Sequence, residues 1–207
     1  MFTASLCLVC LGGWAQEGTA QAKREFEQID TRLATETIAA LINGDAEAKQ
    51  RVITQIKDHP EKFAPPVFYV LSEVLFELGD KDEAAFWFYA GQLRARFDAN
   101  RCADISARQA VAVLNDRFGL AINQHTFRDI PKLKALIPRV VEWDRRTPHR
   151  YDHRWINLHG MNGIISAQGG ESAGTGFSAP PEEWGRIAEK TREDYLSGFE
   201  QAMKDRR

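Results

Sequence analysis

From Ala22 onward the apolar residues of this chain recur at steps of three and four, the period of one helix face and not of a strand. Phe26, Ile29, Leu33, Ile38, Leu41 and Ile42 trace the first such face, with Gly44 where a helix stops. Ala46 to Lys57 carries Val52, Ile53 and Ile56 on one side, and Pro60 follows. Pro65-Pro66 opens a third helix, since proline suits a first turn, and Gly79 ends it. Asp82 to Phe97 forms a fourth, dense in aromatics, and Ala103 to Leu114 a fifth. Asp129-Ile130-Pro131 starts a sixth, bearing Leu133, Leu136, Ile137, Val140 and Val141, with Pro138 expected to kink it. Gly160 to Ser178, with six glycines, reads as a loop. Ser178 and Pro180-Pro181 then introduce a last amphipathic helix, whose stripe of Trp184, Ile187, Ala188, Thr191, Tyr195 and Phe199 should dock on the body. The fold class is all-α.

The turns repeat. Gly44-Asp45, Gly79-Asp80 and Asn115-Asp116 are spaced by about 35 residues, within the range of helix-hairpin arrays. Gly or Asn can end one helix in the left-handed conformation, and Asp can cap the next. Between the first two turns and the third, Phe68, Leu71, Ser72 and Leu75 are followed by Ala84, Phe88 and Gly91. This hairpin, residues 65–97, resembles a tetratricopeptide (TPR) or Sel1-like repeat, in which small residues let two helices approach and aromatics fill the gaps beside them. Phe68 stands at the usual Trp, Ser72 at the usual Gly, Leu75 at the usual Tyr and Arg96 at the closing Pro. The resemblance implies antiparallel hairpins in a right-handed array, or a helical bundle sharing the packing rule. It also implies binding of a protein or peptide without catalysis.

The first residues, MFTASLCLVCLGGWA, carry no charge and hold an apolar run too short to span a bilayer. Small residues follow at Gly13 and Ala15, and again at Gly18 and Ala20. Residues 1–20 therefore read as a signal peptide, although no Lys or Arg precedes the run. The expected location is periplasmic or secreted, or cytoplasmic if the run is an ordinary N-terminal helix. Cys7 and Cys10 would leave with the signal, and Cys102 reads as a small buried apolar residue. No other run is long enough for a membrane span. The remaining divisions are a helical-hairpin domain at 21–147, an Arg/His/Trp segment with the Gly-rich loop at 148–180, and a C-terminal helix at 181–207.

With 27 Lys+Arg against 29 Asp+Glu, the formal charge is −2, which removes the global field of a non-specific nucleic-acid binder. Gly170-Glu171-Ser172-Ala173-Gly174 matches G-x-S-x-G, but neither flank is a strand or helix and all five histidines precede Ser172. It reads as a loop. The stretch RRTPHRYDHRWINLH, residues 145–159, is the most distinctive. Three readings of it stand open. It is an interhelical segment with Tyr151, Trp155 and Leu158 turned inward. Or Arg139, Arg145, Arg146, Arg150 and Arg154, with Trp143 and Trp155, receive an acidic protein partner. Or His149 and His153, four apart, join Asp152 and His159 as a metal set for a hydrolytic enzyme, against the positive charge of the surrounding arginines. The sequence calls for no cofactor. The expected function is an exported protein-binding module, an adaptor or an immunity-type neutralising partner, with the metal-dependent enzyme as the alternative.

Overall fold

The computed structural model describes residues 26–168 and 176–204. The residues expected to form the signal peptide, Cys7, Cys10 and the G-x-S-x-G serine lie outside that range. The described chain is all-α. It runs through α1 (Arg32–Asn43), α2 (Ala46–Asp58), α3 (Pro65–Glu77), α4 (Lys81–Arg101), α5 (Gln109–Thr126), α6 (Ile130–Arg146), α7 (Met161–Ala167) and α8 (Trp184–Ala202). Short 3-10 segments sit at Pro60–Lys62, Ile105–Arg108, His153–His159 and Pro181–Glu183. The described residues contain no strand, only an isolated antiparallel bridge between Cys102 and Ser178. None of their helices is long and apolar enough to cross a membrane.

The α3–α4 hairpin is the centre of the molecule. Gly79, at φ +90°, ends α3, and Asp80 N–H donates to Leu75 O while Gly79 N–H donates to Phe76 O. These two bonds satisfy the last carbonyls of α3, and the positive φ is one a side chain would resist. The helices then pack closely: Ser72 Oγ donates to Ala84 O at 2.7 Å, and a Cβ at Gly91 would come within 3.2 Å of Phe68 and Tyr69. Fourteen of the 21 residues of α4 are buried, on every side of the helix. It therefore serves as the core about which the rest is arranged. α3 lies between α1 and α5, while α4 touches α5, α6 and α8. α8 returns as the aromatic stripe requires, burying Thr191, Arg192 and Tyr195.

Four details depart from the expected pattern. The first expected face is broken: residues 26–27 are helical, the chain leaves the helix at 28–31, and α1 starts anew at Arg32. Asp30 N–H donates to Asp152 Oδ2 at 3.0 Å and the Asp30 carboxylate takes Arg32, so the chain is held out of helical pairing there. Gly44 ends α1 at φ −66°, without the left-handed turn, and Asp45 caps α2 through Ala48 N–H. The third expected turn is absent. Asn115 and Asp116 sit inside α5, where Asn115 Oδ1 accepts from Tyr69 Oη and Gln92 Nε2. Those tertiary partners remove the motive for Asn to bond its own backbone. Lastly, the Gly-rich stretch contains α7, whose first amide donates to Ser106 Oγ and whose second donates to Asp104 Oδ2.

Candidate functional site

Charged side chains on α4 point into the core one turn apart. Arg94, Asp98 and Arg101 are buried, and i, i+4 and i+7 place them on one helix face. Burying a charge is costly unless it is paired and hydrogen-bonded, so their partners are the question. Arg94 Nε donates to Asp144 Oδ1 at 3.0 Å and its Nη2 to the Thr147 carbonyl at 2.8 Å. The guanidinium also lies 4.5 Å from the Trp143 ring centre, an attraction between cation and ring quadrupole. The other oxygen of Asp144 accepts from Arg192 Nε of α8 at 2.8 Å, and His149 Nε2 lies 3.0 Å from Oδ1. Burial would raise the Asp144 carboxyl; the His149 bond and the Arg94 charge outweigh it and bring the pKa to about 2. Asp98 takes Arg101 at 2.6 Å, Tyr151 Oη at 3.0 Å and Trp155 Nε1 at 2.7 Å.

This network redistributes the residues of the 145–159 stretch. Trp155 is buried with its indole on Asp98, and Tyr151 is bonded to the same carboxylate. Trp143 packs among Phe68, Phe86 and Trp87. Arg145 pairs with Glu142 and Glu189, Arg146 with Glu142, and Arg154 with Asp152. Arg150 is exposed, its backbone N–H on the Glu61 carbonyl. Arg139 stands elsewhere, on the exposed side of α6. The seven residues expected to form one binding face are thus spread over the core, the surface ion pairs and a separate cleft.

The expected metal set is likewise divided. His149 and His153 do not share a helix, since residues 147–152 are irregular and a 3-10 segment begins at His153. His149 is committed to Asp144, His153 to Ser178 Oγ at 2.8 Å, and Asp152 to Arg154 and Asp30. His159 lies edge-on to Trp155. Among the described residues, no three His, Cys, Asp or Glu side chains are grouped as a metal would need. Cys102 is buried, as expected, and burial pushes its thiol up to about 11.

One open cleft, of about 390 Å³, lies where the start of α4, the end of α5 and the first half of α6 meet. Asp129 caps α6 by accepting from Lys132 N–H at 3.0 Å, which fixes the orientation of that helix beside α4. Ala85, Ala135, Leu133 and Leu136 give the cleft its apolar lining. Asp82 accepts from Lys132 Nζ at 2.5 Å and approaches His125 Nε2 at 3.3 Å; these bonds hold its carboxyl below the usual range. Arg128 and Arg139 also line the cleft, both exposed, and neither has an acidic partner among the described residues. Arg94, Arg101, Arg117, Arg145, Arg146, Arg186 and Arg192 each sit on a carboxylate, whereas Arg96, Arg108 and Arg150, like these two, have no acidic partner among the described residues.

Sequence reasoning reached Arg139 but not Arg128, Lys132 or Asp82, because the cleft joins helix ends that are distant in the chain. The buried network had a legible sign: charges at 94, 98 and 101 on one face of a helix already rich in core aromatics. No family model, curated protein or solved structure matches the chain.

Proposed function

We propose that the chain is a non-catalytic protein-binding module, exported under the direction of its N-terminal segment, that captures an acidic partner in the α4–α5–α6 cleft. The observation that carries this reading is the pair Arg128 and Arg139, uncommitted beside an apolar wall. A guanidinium binds carboxylates through a planar fork of donors, and an apolar wall beside it adds area that water leaves on binding. Binding sites commonly combine a few placed polar groups with apolar lining.

Two further observations support it. The ionisable groups that a hydrolytic reading needs, His149 and Asp152 among them, are already engaged by internal partners. The contacts of α3 with α1 and α5, and of α4 with α6, are of the kind that neighbouring helix hairpins make, and they support a reading as a binding surface. An adaptor or an immunity-type neutralising role suits such a surface.

The test is titration calorimetry of the whole chain with poly-L-glutamate and poly-L-lysine at low and moderate salt. Poly-L-glutamate should bind, weakening as salt screens the contact, and poly-L-lysine should not. The double substitution Arg128→Glu with Arg139→Glu should weaken binding at least tenfold and leave the melting temperature within a degree or two. Equal binding by the double variant, or none by the unaltered chain at low salt, overturns the reading.

A further inference from the structure

We infer that α8 is a detachable helix, released from the groove between α4 and α6 when His153 takes up a proton. α8 runs antiparallel to α4: Thr191 Oγ1 accepts from Asn100 Nδ2 at 2.9 Å, and one turn on Tyr195 Oη donates to Gln92 Oε1 at 2.7 Å. On the α6 side, Arg192 holds Asp144 and Glu189 takes Arg145. These contacts are polar. Only Thr191, Arg192 and Tyr195 of its nineteen residues are buried, against nine of thirteen in α3. A helix that removes so little apolar surface from water sits at the low end of local stability.

The attachment passes over one imidazole. His153 Nε2 lies 2.8 Å from Ser178 Oγ, and its ring stands edge-on to Trp184, the first residue of α8, with centres 4.7 Å apart. The Arg101 guanidinium lies 4.7 Å from the same Trp184 ring centre. The charged groups around the imidazole are Arg101 and Asp98 of α4 and Asp152 and Arg154 of its own segment. Both carboxylates are already engaged, Asp98 by Arg101 and Asp152 by Arg154. A proton on His153 therefore adds a positive charge beside Arg101 with no uncommitted counter-charge to take it. Lifting Ser178 and Trp184 away opens the ring to water, which solvates that charge.

Burial, with the Arg101 charge next, holds the covered imidazole at about 4, whereas an uncovered one titrates near 6.5. Because the covered value is the lower, the neutral ring favours the docked helix above about pH 6.5, and that contribution is lost as the pH falls toward 4. Between pH 7.5 and 5.0 these two values raise the opening constant of α8 about thirtyfold. Asp144 and Glu189 stay ionised over that range, since both titrate below the ordinary carboxylate value. His149, the other imidazole that burial lowers, touches Asp144, Phe97 and Tyr151 rather than α8.

The experiment is hydrogen exchange by mass spectrometry on the whole chain at pH 7.5, 6.0 and 5.0, corrected for the intrinsic rate at each pH. At pH 7.5 the amides of α8 should show an opening constant at least about tenfold larger than those of α3. That constant should rise about thirtyfold by pH 5.0. His153→Gln, which can keep a bond to Ser178 without titrating, should hold the rise below about threefold. An α8 that opens only as often as α3 overturns the detachable helix. A rise below about threefold in the unaltered chain overturns the switch, whether or not the variant folds. A full rise that persists in folded His153→Gln overturns His153 as the group that sets it.

Discussion

Arg192, near the middle of the last helix, donates its Nε–H to Oδ2 of Asp144 at 2.8 Å, and both side chains are buried. A helix reached only after the Gly-rich stretch is thereby tied to the same carboxylate that holds Arg94 of the central helix. Removing one member of such a group strands a charge in the core, at a cost of about 3–5 kcal/mol.

Asp144→Ala should therefore destabilise the chain by roughly that amount in chemical denaturation, since it leaves the buried Arg94 without a counter-charge and Arg192 with Glu189 alone. Arg192→Met should cost less, because Arg94 and His149 still hold the carboxylate, and its loss should appear first as faster hydrogen exchange in α8. Equal exchange across α4 and α8 in Arg192→Met would show that the tie is not what docks the last helix.

Stability should fall on mild acidification. Burial, with Arg101 adding to it, holds His153 down at about 4, and burial keeps His149 below its ordinary value against the opposing Asp144 bond. Unfolded imidazoles titrate near 6.5, so the unfolded chain takes up protons first. The contribution of the neutral rings is complete above about pH 6.5 and is lost as the pH falls toward 4. Asp144 adds a second loss between about pH 4 and 2. The melting temperature at pH 5 should lie several degrees below that at pH 7.5, and His153→Gln should flatten part of the slope. A level profile from pH 7.5 to 5 would contradict this.

Glycines at different sites should respond in opposite directions. A Cβ at Gly198, within α8, meets nothing within 4 Å, so Gly198→Ala should stabilise by up to about 1 kcal/mol through helix propensity. A Cβ at Gly163 would lie 2.5 Å from the Asn157 carbonyl oxygen, and backbone there must shift. Gly163→Ala should destabilise, by about 1–3 kcal/mol. Paired thermal melts of the two variants check both signs.

The helices from Ala46 to Arg101 were legible because their apolar period, prolines and glycines all point the same way, as the Gly79 turn shows. Legibility ended where tertiary contacts overrode local signals. Asn115 looks like a helix end, yet Tyr69 and Gln92 hold its side chain within α5. Met161 to Ala167 looks like loop, yet Asp104 and Ser106 satisfy its first amides. The arginines of residues 145–154 read as one exposed basic cluster, because nothing local reveals that Glu142, Glu189 and Asp152 neutralise three of them. Arg139 emerged from that same cluster but belongs with Arg128, eleven positions away on the far side of a helix start.

The most direct test of capture at this cleft is a charge swap across the contact. The double substitution Arg128→Glu with Arg139→Glu should weaken poly-L-glutamate binding at least tenfold and let poly-L-lysine bind at low salt, since opposite charges again meet. The cleft loses its assigned role if the double variant binds poly-L-glutamate as the unaltered chain does, or if it still does not bind poly-L-lysine.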